Sequence, residues 1–335
     1  MPTNVPPQYR DAEERFREAT SLPGKIAALQ EMLQIMPKHK GTDHLKAQLR
    51  ARLSRLMSDL ENSSGSKTSG RPEPFSLPKE GAGRATLIGP TNVGKSMILS
   101  KATGAKSKVG SYALSTQEPI PGMYPYEDIY FQLVDTPPID NIATQSRLYG
   151  LLRTSDIFVL VADLTNNPLI QLEKTFSELA EWGFNLTEQS TAISQDANLW
   201  NDKSTIILCN KADIPGALDQ FNEVANRYGA KYPVIMTSAE EEVGLDDLGQ
   251  DIFSALHIIR VYTKSPRQKM DAFKKSDPVV LANGSTVNLA AQQVHKDLSK
   301  GLKYAVLWGK SGKFLGQRVG KDHQLTDGDI IEIHS

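Results

Sequence analysis

The sequence predicts an α/β protein: a mostly parallel sheet with helices on both faces, preceded by a short helical region and followed by a smaller mixed module. Three observations predict it. Between Ala85 and Ala239, five β-rich runs ("ATLIG", "IYFQLVDT", "DIFVLVADL", "STIILCNK" and "YPVIMTSA") alternate with helical stretches. These runs are nearly continuous in apolar residues, the pattern of strands covered on both faces. Composition also shifts at each end of this region, and 335 residues are too many for one ordinary core.

The first element, residues 1–61, reads as helical. "QYRDAEERFREAT", "PGKIAALQEMLQIM" and "DHLKAQLRARLSRLMSDLE" place apolar residues at three- and four-residue steps, and Pro23 stands where a first helical turn tolerates it. The third stretch is cationic, with Lys46, Arg50, Arg52 and Arg55 following Lys38 and Lys40 and only Asp43 opposing them, which suits a helical hairpin or arm. Residues 62–83 are rich in Ser, Gly, Pro and Lys with few apolar side chains, and read as a linker. Residues 84–256 form the α/β domain, in which "GFNLTEQSTAISQDANLWNDK" (183–203) is a polar surface excursion. In residues 257–335 the order becomes strand, strand, helix, strand, strand, with a turn at Asn283-Gly284, a cap at Ser285 or Thr286 and a helix stop at Gly301.

Hydrophobic residues make up 39% and charged residues 23% of the chain, as in a soluble globular protein. No run approaches the 18 or so apolar residues of a membrane helix, and the start has neither the charged nor the apolar region of a leader, so a cytoplasmic protein without membrane contact is expected. The single cysteine, Cys209, lies in an apolar run, which excludes a disulfide framework and a Cys/His metal cluster. His257, His295, His323 and His334 lack ligand spacing. The net charge of −1 hides an asymmetry: residues 1–61 carry 10 basic and 8 acidic side chains, residues 62–256 carry 15 and 24, and residues 257–335 carry 13 and 7. Basic ends suit nucleic-acid contacts, although a solvated basic face is the plainer alternative, and nothing points to DNA specificity.

The chemistry lies in the central domain. "GPTNVGKS" (Gly89, Pro90, Thr91, Asn92, Val93, Gly94, Lys95, Ser96) follows a strand and opens a helix, which makes it a P-loop NTPase signature. Amides from about Asn92 to Met97 can cradle the α- and β-phosphates, Lys95 can reach the β- and γ-phosphates, and the Ser96 hydroxyl can coordinate Mg²⁺. Asp135 ends an apolar strand 40 residues after Lys95, where a carboxylate would hold Mg²⁺ through water. "NKAD" ends another strand: Asp213 can accept from guanine N1–H and the exocyclic amine, Asn210 suits N7, and the Lys211 stem can lie along the ring. "TSA" ends the next, where the Ser238 and Ala239 amides, beside Thr237, could meet guanine O6. Four motifs in this order at strand ends select GTP and GDP over ATP.

These residues resemble translation-factor-class GTPases of the Obg-related group, and most closely the developmentally regulated GTP-binding protein family, whose members end in a TGS domain. "PKHKGTDHLKAQLRARLSRL" is similar to that family's basic N-terminal helices, and "HKDLSKGLKYAVLWGKSGKFLGQRVGKDHQLTDGDIIEIHS" to its TGS module. The resemblance implies a ubiquitin-like β-grasp for residues 257–335 and association with a ribosome or structured RNA; a protein regulator is a further candidate partner. It also implies that Thr116 reaches Mg²⁺ from switch I, with Ser115 the alternative one position away. Asn92 is similar in position to the asparagine that ligates K⁺ in potassium-stimulated GTPases; the alternative is that it only shapes the loop.

The resemblance breaks at "FQLVDTPPID". Relatives carry Asp-x-x-Gly, whose glycine amide donates to the γ-phosphate, whereas the fourth position here is Pro138, which has no N–H. An unreplaced charge-assisted donor is worth about 1.5–3 kcal/mol, or about ten- to a hundredfold in GTP-over-GDP discrimination. Ile139 stands where many GTPases place a water-orienting glutamine. Expected, therefore, are tight nucleotide binding, slow K⁺-stimulated hydrolysis with Lys95, Thr116 and Asn92 as the catalytic set, and a readout through switch I. The alternative is a nucleotide-occupied scaffold with negligible turnover. In the last module Lys296, Lys300, Lys303, Lys310, Lys313, Arg318 and Lys321 interleave with Tyr304, Trp308 and Phe314. Tyr304 and Trp308, four apart on a strand, share one face and are expected to pack the core, with base stacking the alternative.

Overall fold

A computed structural model of the chain describes residues 7–19, 21–36, 45–46, 48–53, 55–56, 74–104, 117–187, 201–266 and 277–334. Two helices, α1 (Pro7–Glu18) and α2 (Leu22–Ile35), open it. The Ser21 hydroxyl caps α2 by accepting from the Gly24 N–H at 3.1 Å, and Pro23 sits in the first turn as the sequence predicts. Tyr9, Ala12, Leu29 and Met32 pack between the two helices, joined by Leu49 from helical residues 48–53.

The central domain contains β1 (Arg84–Ile88), α3 (Lys95–Thr103), β2 (Ile120–Tyr126), β3 (Ile129–Asp135), α4 (Gln145–Thr154), β4 (Ile157–Asp163), α5 (Pro168–Glu181), β5 (Asn185–Thr187), β6 (Asp202–Asn210), α6 (Ala217–Tyr228), β7 (Val234–Met236) and α7 (Leu245–Leu256). The strand order is β2-β3-β1-β4-β6-β5, with β7 also pairing β6; β2 is antiparallel to β3 and every other pairing is parallel. β4 shows why its sequence is a solid apolar run. Ile157, Val159 and Val161 face a core shared with α3 and α7, while Phe158, Leu160 and Ala162 face one shared with α4, α5 and α6. The short strand β5 lies within the stretch expected to be a polar excursion; it pairs with Asp202–Ser204, and residues 188–200 are outside the described residues.

Phe75, within the segment read as a linker, is only 6% exposed and shares the second core with Ile26 of α2 and Leu148 and Tyr149 of α4. Next to it the Arg84 guanidinium donates to the Leu77 carbonyl at 2.7 Å, and the Gln132 amide to the Pro78 carbonyl at 2.9 Å. The helical hairpin and the stretch after residue 74 therefore sit on α4 as part of one packed layer.

The last module contains β8 (Ile258–Thr263), β9 (Val279–Ala282), α8 (Val287–Val294), α9 (Lys296–Gly301), β10 (Tyr304–Trp308), β11 (Gln317–Val319) and β12 (Ile330–His334), ordered β11-β10-β12-β8-β9. β8 and β12 are parallel and the other pairs antiparallel, a β-grasp sheet over a helix. The one helix expected here is two, broken at the extended residue His295, whose Nδ1 accepts from the Asp297 N–H at 3.2 Å. The expectation that Tyr304 and Trp308 pack the core is overturned. Ala305 and Leu307 point to α8, so alternation along β10 turns Tyr304 and Trp308 to the outer face, where both are half-buried. The two-residue turn Glu127-Asp128 between β2 and β3 meets this module: the Arg260 guanidinium donates to Asp128 at 3.0 Å and to Asp327 at 2.8 Å, and also pairs with Glu127.

Candidate nucleotide-binding site

The four motifs converge at the carboxyl ends of β1, β3, β6 and β7, the edge at which parallel α/β sheets present ligands. Residues 89–94 leave β1 and open α3. Two glycines there are sterically required. A Cβ at Gly89 would lie 2.4 Å from the Val161 carbonyl oxygen; one at Gly94, whose φ is +94°, would lie 2.2 Å from Asn210 Nδ2. Asn92 also adopts a left-handed φ, +66°, and is exposed with Thr91 at the loop's outer edge, whereas Val93 is buried. Met97 packs against the core.

Lys95, 7% exposed, donates from Nζ to the carbonyls of Gly89 at 2.9 Å and Pro90 at 2.8 Å. Burial pushes its pKa down to about 8, against the opposing pull of Asp135 and Asp140. The Ser96 hydroxyl donates to Asp135 Oδ2 at 2.5 Å, and Asp135 is fully buried. This pair is an all-oxygen, hard donor set suited to Mg²⁺.

On the base side, Asn210 links both halves of the site. Its Nδ2 donates to the Val93 carbonyl at 2.9 Å, and its Oδ1 accepts from the Ala239 N–H at 3.0 Å. Asp213 is exposed and its Oδ1 accepts from the Ser238 hydroxyl at 2.6 Å, which fixes the carboxylate. Thr237 donates its hydroxyl to the Val243 carbonyl at 2.7 Å, and the Ser238 N–H donates to the same residue at 3.1 Å. The Ser238 and Ala239 amides expected at guanine O6 thus already donate within the protein, so contact with a base competes with these bonds. Lys211, at φ +69°, forms an ion pair with Asp163. Burial would raise the Asp163 carboxyl, but hydrogen bonds from Lys211 and Thr165 outweigh it and hold the group below its usual value.

Sequence reasoning missed Asp163 and Gln171. Asp163 ends β4, the strand between the two motif-bearing pairs, and Gln171 of α5 bonds both its N–H and its carbonyl. The carboxyl-end position was the available signal. A cavity of about 640 Å³ opens beside the P-loop, lined by Thr91, Asn92, Asp140, Asp163, Lys174 and Glu178 among others. Thr116 and Ser115 lie outside the described residues.

The segment that follows Asp135, switch II by the resemblance, leaves the sheet already anchored. The Thr136 hydroxyl donates to the Leu87 carbonyl at 2.6 Å, Pro137 and Pro138 are buried, and Ile139 is 3% exposed in the same core as Phe75. Ile139 thus packs into the layer beneath α4, and it also lines the cavity beside the phosphate loop.

Residues 84–211 match the family described as 50S ribosome-binding GTPase, and residues 259–335 the TGS domain. Curated relatives include Developmentally-regulated G-protein 3 of Arabidopsis thaliana, 30% identical over 92% of this chain and 97% of that protein, and Developmentally-regulated GTP-binding protein 1 of Xenopus laevis, 29% identical over 92% and 98%. Among solved structures, a GTP binding protein from Pyrococcus horikoshii OT3 superposes with a TM-score of 0.51 at 20% identity, covering 75% of this chain and 99% of that one, a likeness of fold.

Proposed function

This chain belongs to the developmentally regulated GTP-binding protein family, and from that premise we propose that it is a regulatory GTPase of the cytoplasm, hydrolysing GTP slowly with K⁺ stimulation while docked on a ribosome or structured RNA. The observation that carries the reading is Asn210, which ties the phosphate loop at Val93 to the base-side residue Ala239, so phosphate and guanine recognition form one rigid unit. Lys95 is positioned by two loop carbonyls that a phosphate can replace as its partner. Ser96 and Asp135 would hold Mg²⁺, which when bound neutralises charge on the β- and γ-phosphate oxygens. The exposed Asn92 side chain offers a neutral oxygen for K⁺, although its left-handed backbone also supports the loop-shaping role.

Ile139 supplies no water-orienting group, and its burial supports slow turnover. The same burial favours the second reading, a nucleotide-occupied scaffold with negligible hydrolysis, because a core-packed Pro137-Pro138-Ile139 resists the movement that a switch needs. Single-turnover hydrolysis with Mg²⁺ in K⁺ against Na⁺ tests the first reading: slow hydrolysis accelerated by K⁺ supports it, and a fast rate indifferent to the cation refutes it. Equal affinities for GTP and GDP would instead favour the scaffold, since no differential binding would remain to shift a conformational equilibrium.

A further inference from the structure

The last module presents a surface that the nucleotide site does not use. Residues 309–316 join β10 to β11, and at their tip Phe314 is 65% and Leu315 75% exposed. The loop beneath them is held. Asp329, fully buried, accepts from the Ser311 hydroxyl at 2.5 Å; the Gly316 N–H donates to the Leu307 carbonyl at 2.8 Å, and the Lys313 N–H to Gln317 Oε1 at 2.6 Å. Gly309 is obligatory in this frame, because a Cβ there would lie 2.0 Å from Asp329 Oδ1. The apolar tip is therefore displayed by a built loop rather than released by a frayed one.

Charge and planar groups surround that tip. Lys310, Lys313 and Arg318 are exposed, and residues 309–318 contain no acidic side chain. On the adjoining outer face of the sheet, the Arg318 guanidinium lies 3.6 Å from the Tyr304 ring centroid, and Tyr304 stacks on His334 at 4.5 Å with 13° between the planes. Arg318 and His334, from the strands on either side, cover the two faces of the Tyr304 ring, so the row is a stack closed at its middle. Its outer guanidinium face suits a flat π-system, and the surrounding cations suit a polyanion. A lipid surface would use the apolar tip and the lysines but has no use for the planar row.

We propose that the β10–β11 loop and the Arg318–Tyr304–His334 row form a docking surface for unpaired RNA, with phosphates against Lys310, Lys313 and Arg318 and a base stacked on Phe314. This rests on the RNA association proposed above and assigns it a place and a strand type. The exposed positions of Phe314 and the two lysines allow substitution without disturbing a core.

The test uses the full chain with GDP bound and a fluorescent single-stranded RNA oligonucleotide, read by anisotropy across a salt series. A duplex RNA of the same length and phosphatidylserine vesicles are the comparison ligands. The single strand is expected to bind in preference to both. Phe314→Ala should weaken it by about five- to a hundredfold, the value of one stacked base, while Phe314→Tyr retains it. Replacing Lys310 and Lys313 with alanine should lower the salt slope by about 1.4, from roughly 0.7 per phosphate neutralised. GDP affinity should be unchanged in every variant. If the unaltered chain binds single-stranded RNA and Phe314→Ala binds it equally well, this surface is wrong and the broader RNA reading stands. If the unaltered chain binds no RNA, both fall; preference for the duplex, or for vesicles with loss on Phe314→Ala, overturns the assignment of an unpaired strand.

Discussion

Asn210 donates to the Val93 carbonyl at 2.9 Å, joining the end of β6 to the loop after β1 across the width of β4. Asn210→Ala would strand the buried Val93 carbonyl and Ala239 N–H together, at a cost of about 1–3 kcal/mol for each unmet group. The expected outcome is a lower melting temperature of the nucleotide-free chain together with weaker binding of both GTP and GDP. A variant that lost only guanine selectivity, at unchanged stability, would contradict the linking role.

Ser96 and Asp135 predict a different signature. Ser96→Ala removes a hydroxyl from the metal side without touching Asn210 or Asp213, so guanine selectivity should survive while the gain in GTP affinity on adding Mg²⁺ shrinks by about ten- to a hundredfold. Calorimetry with and without Mg²⁺ measures both quantities.

Lys95 sets a pH dependence of known sign. Its folded, nucleotide-free pKa is about 8, below the usual 10.5, and the phosphates of a bound nucleotide favour the ammonium form. Below pH 8 the free group is already charged and affinity is flat with respect to it. Above pH 8 binding must take up a proton, so affinity should fall by about tenfold per pH unit until the pKa of the bound form is reached. The same shift acts oppositely on folding. Between pH 8 and 10.5 the unfolded chain binds the extra proton, so this group's contribution to stability grows as pH rises. Isothermal titration at several pH values, with thermal unfolding alongside, distinguishes the two signs.

Pro138→Gly restores an N–H at the position where related GTPases contact the γ-phosphate. If the missing donor is what limits discrimination, the GTP-to-GDP affinity ratio should rise by about tenfold or more, set against about 0.5–1 kcal/mol of stability lost to the freer backbone. An unchanged ratio would show that the packing of Ile139 with Phe75 and Leu148, rather than the absent amide, immobilises switch II.

Much of the nucleotide site was legible because its parts are local. A strand, a glycine-rich turn and a helix start are consecutive, so spacing alone located Lys95 and Ser96, and Asp135, Asn210 and Asp213 announced themselves at the ends of apolar runs. Long-range consequences were hidden. Nothing in a Ser- and Pro-rich stretch shows that Phe75 will be buried against α2 and α4, because that depends on where two distant helices leave a gap. The occupation of the Ser238 and Ala239 amides depends on the return of Val243 and on the rotamer of Asn210. Tyr304 and Trp308 were misjudged for a simpler reason: a period of two identifies a shared face but not which face the helix covers, and the smaller Ala305 and Leu307 take the core.

The β2–β3 hairpin has a mechanical consequence. Its seven residue pairs run from Ile120 opposite Asp135 to Tyr126 opposite Ile129, a rod of about 20 Å at the usual rise per residue. One tip carries the metal-side carboxylate and the other is gripped by Arg260, while a one-residue slip would turn buried Phe131 and Leu133 outward. A rod so registered is stiff along its length, so a displacement of its Arg260 end is expected to reach Asp135, the carboxylate proposed above for Mg²⁺.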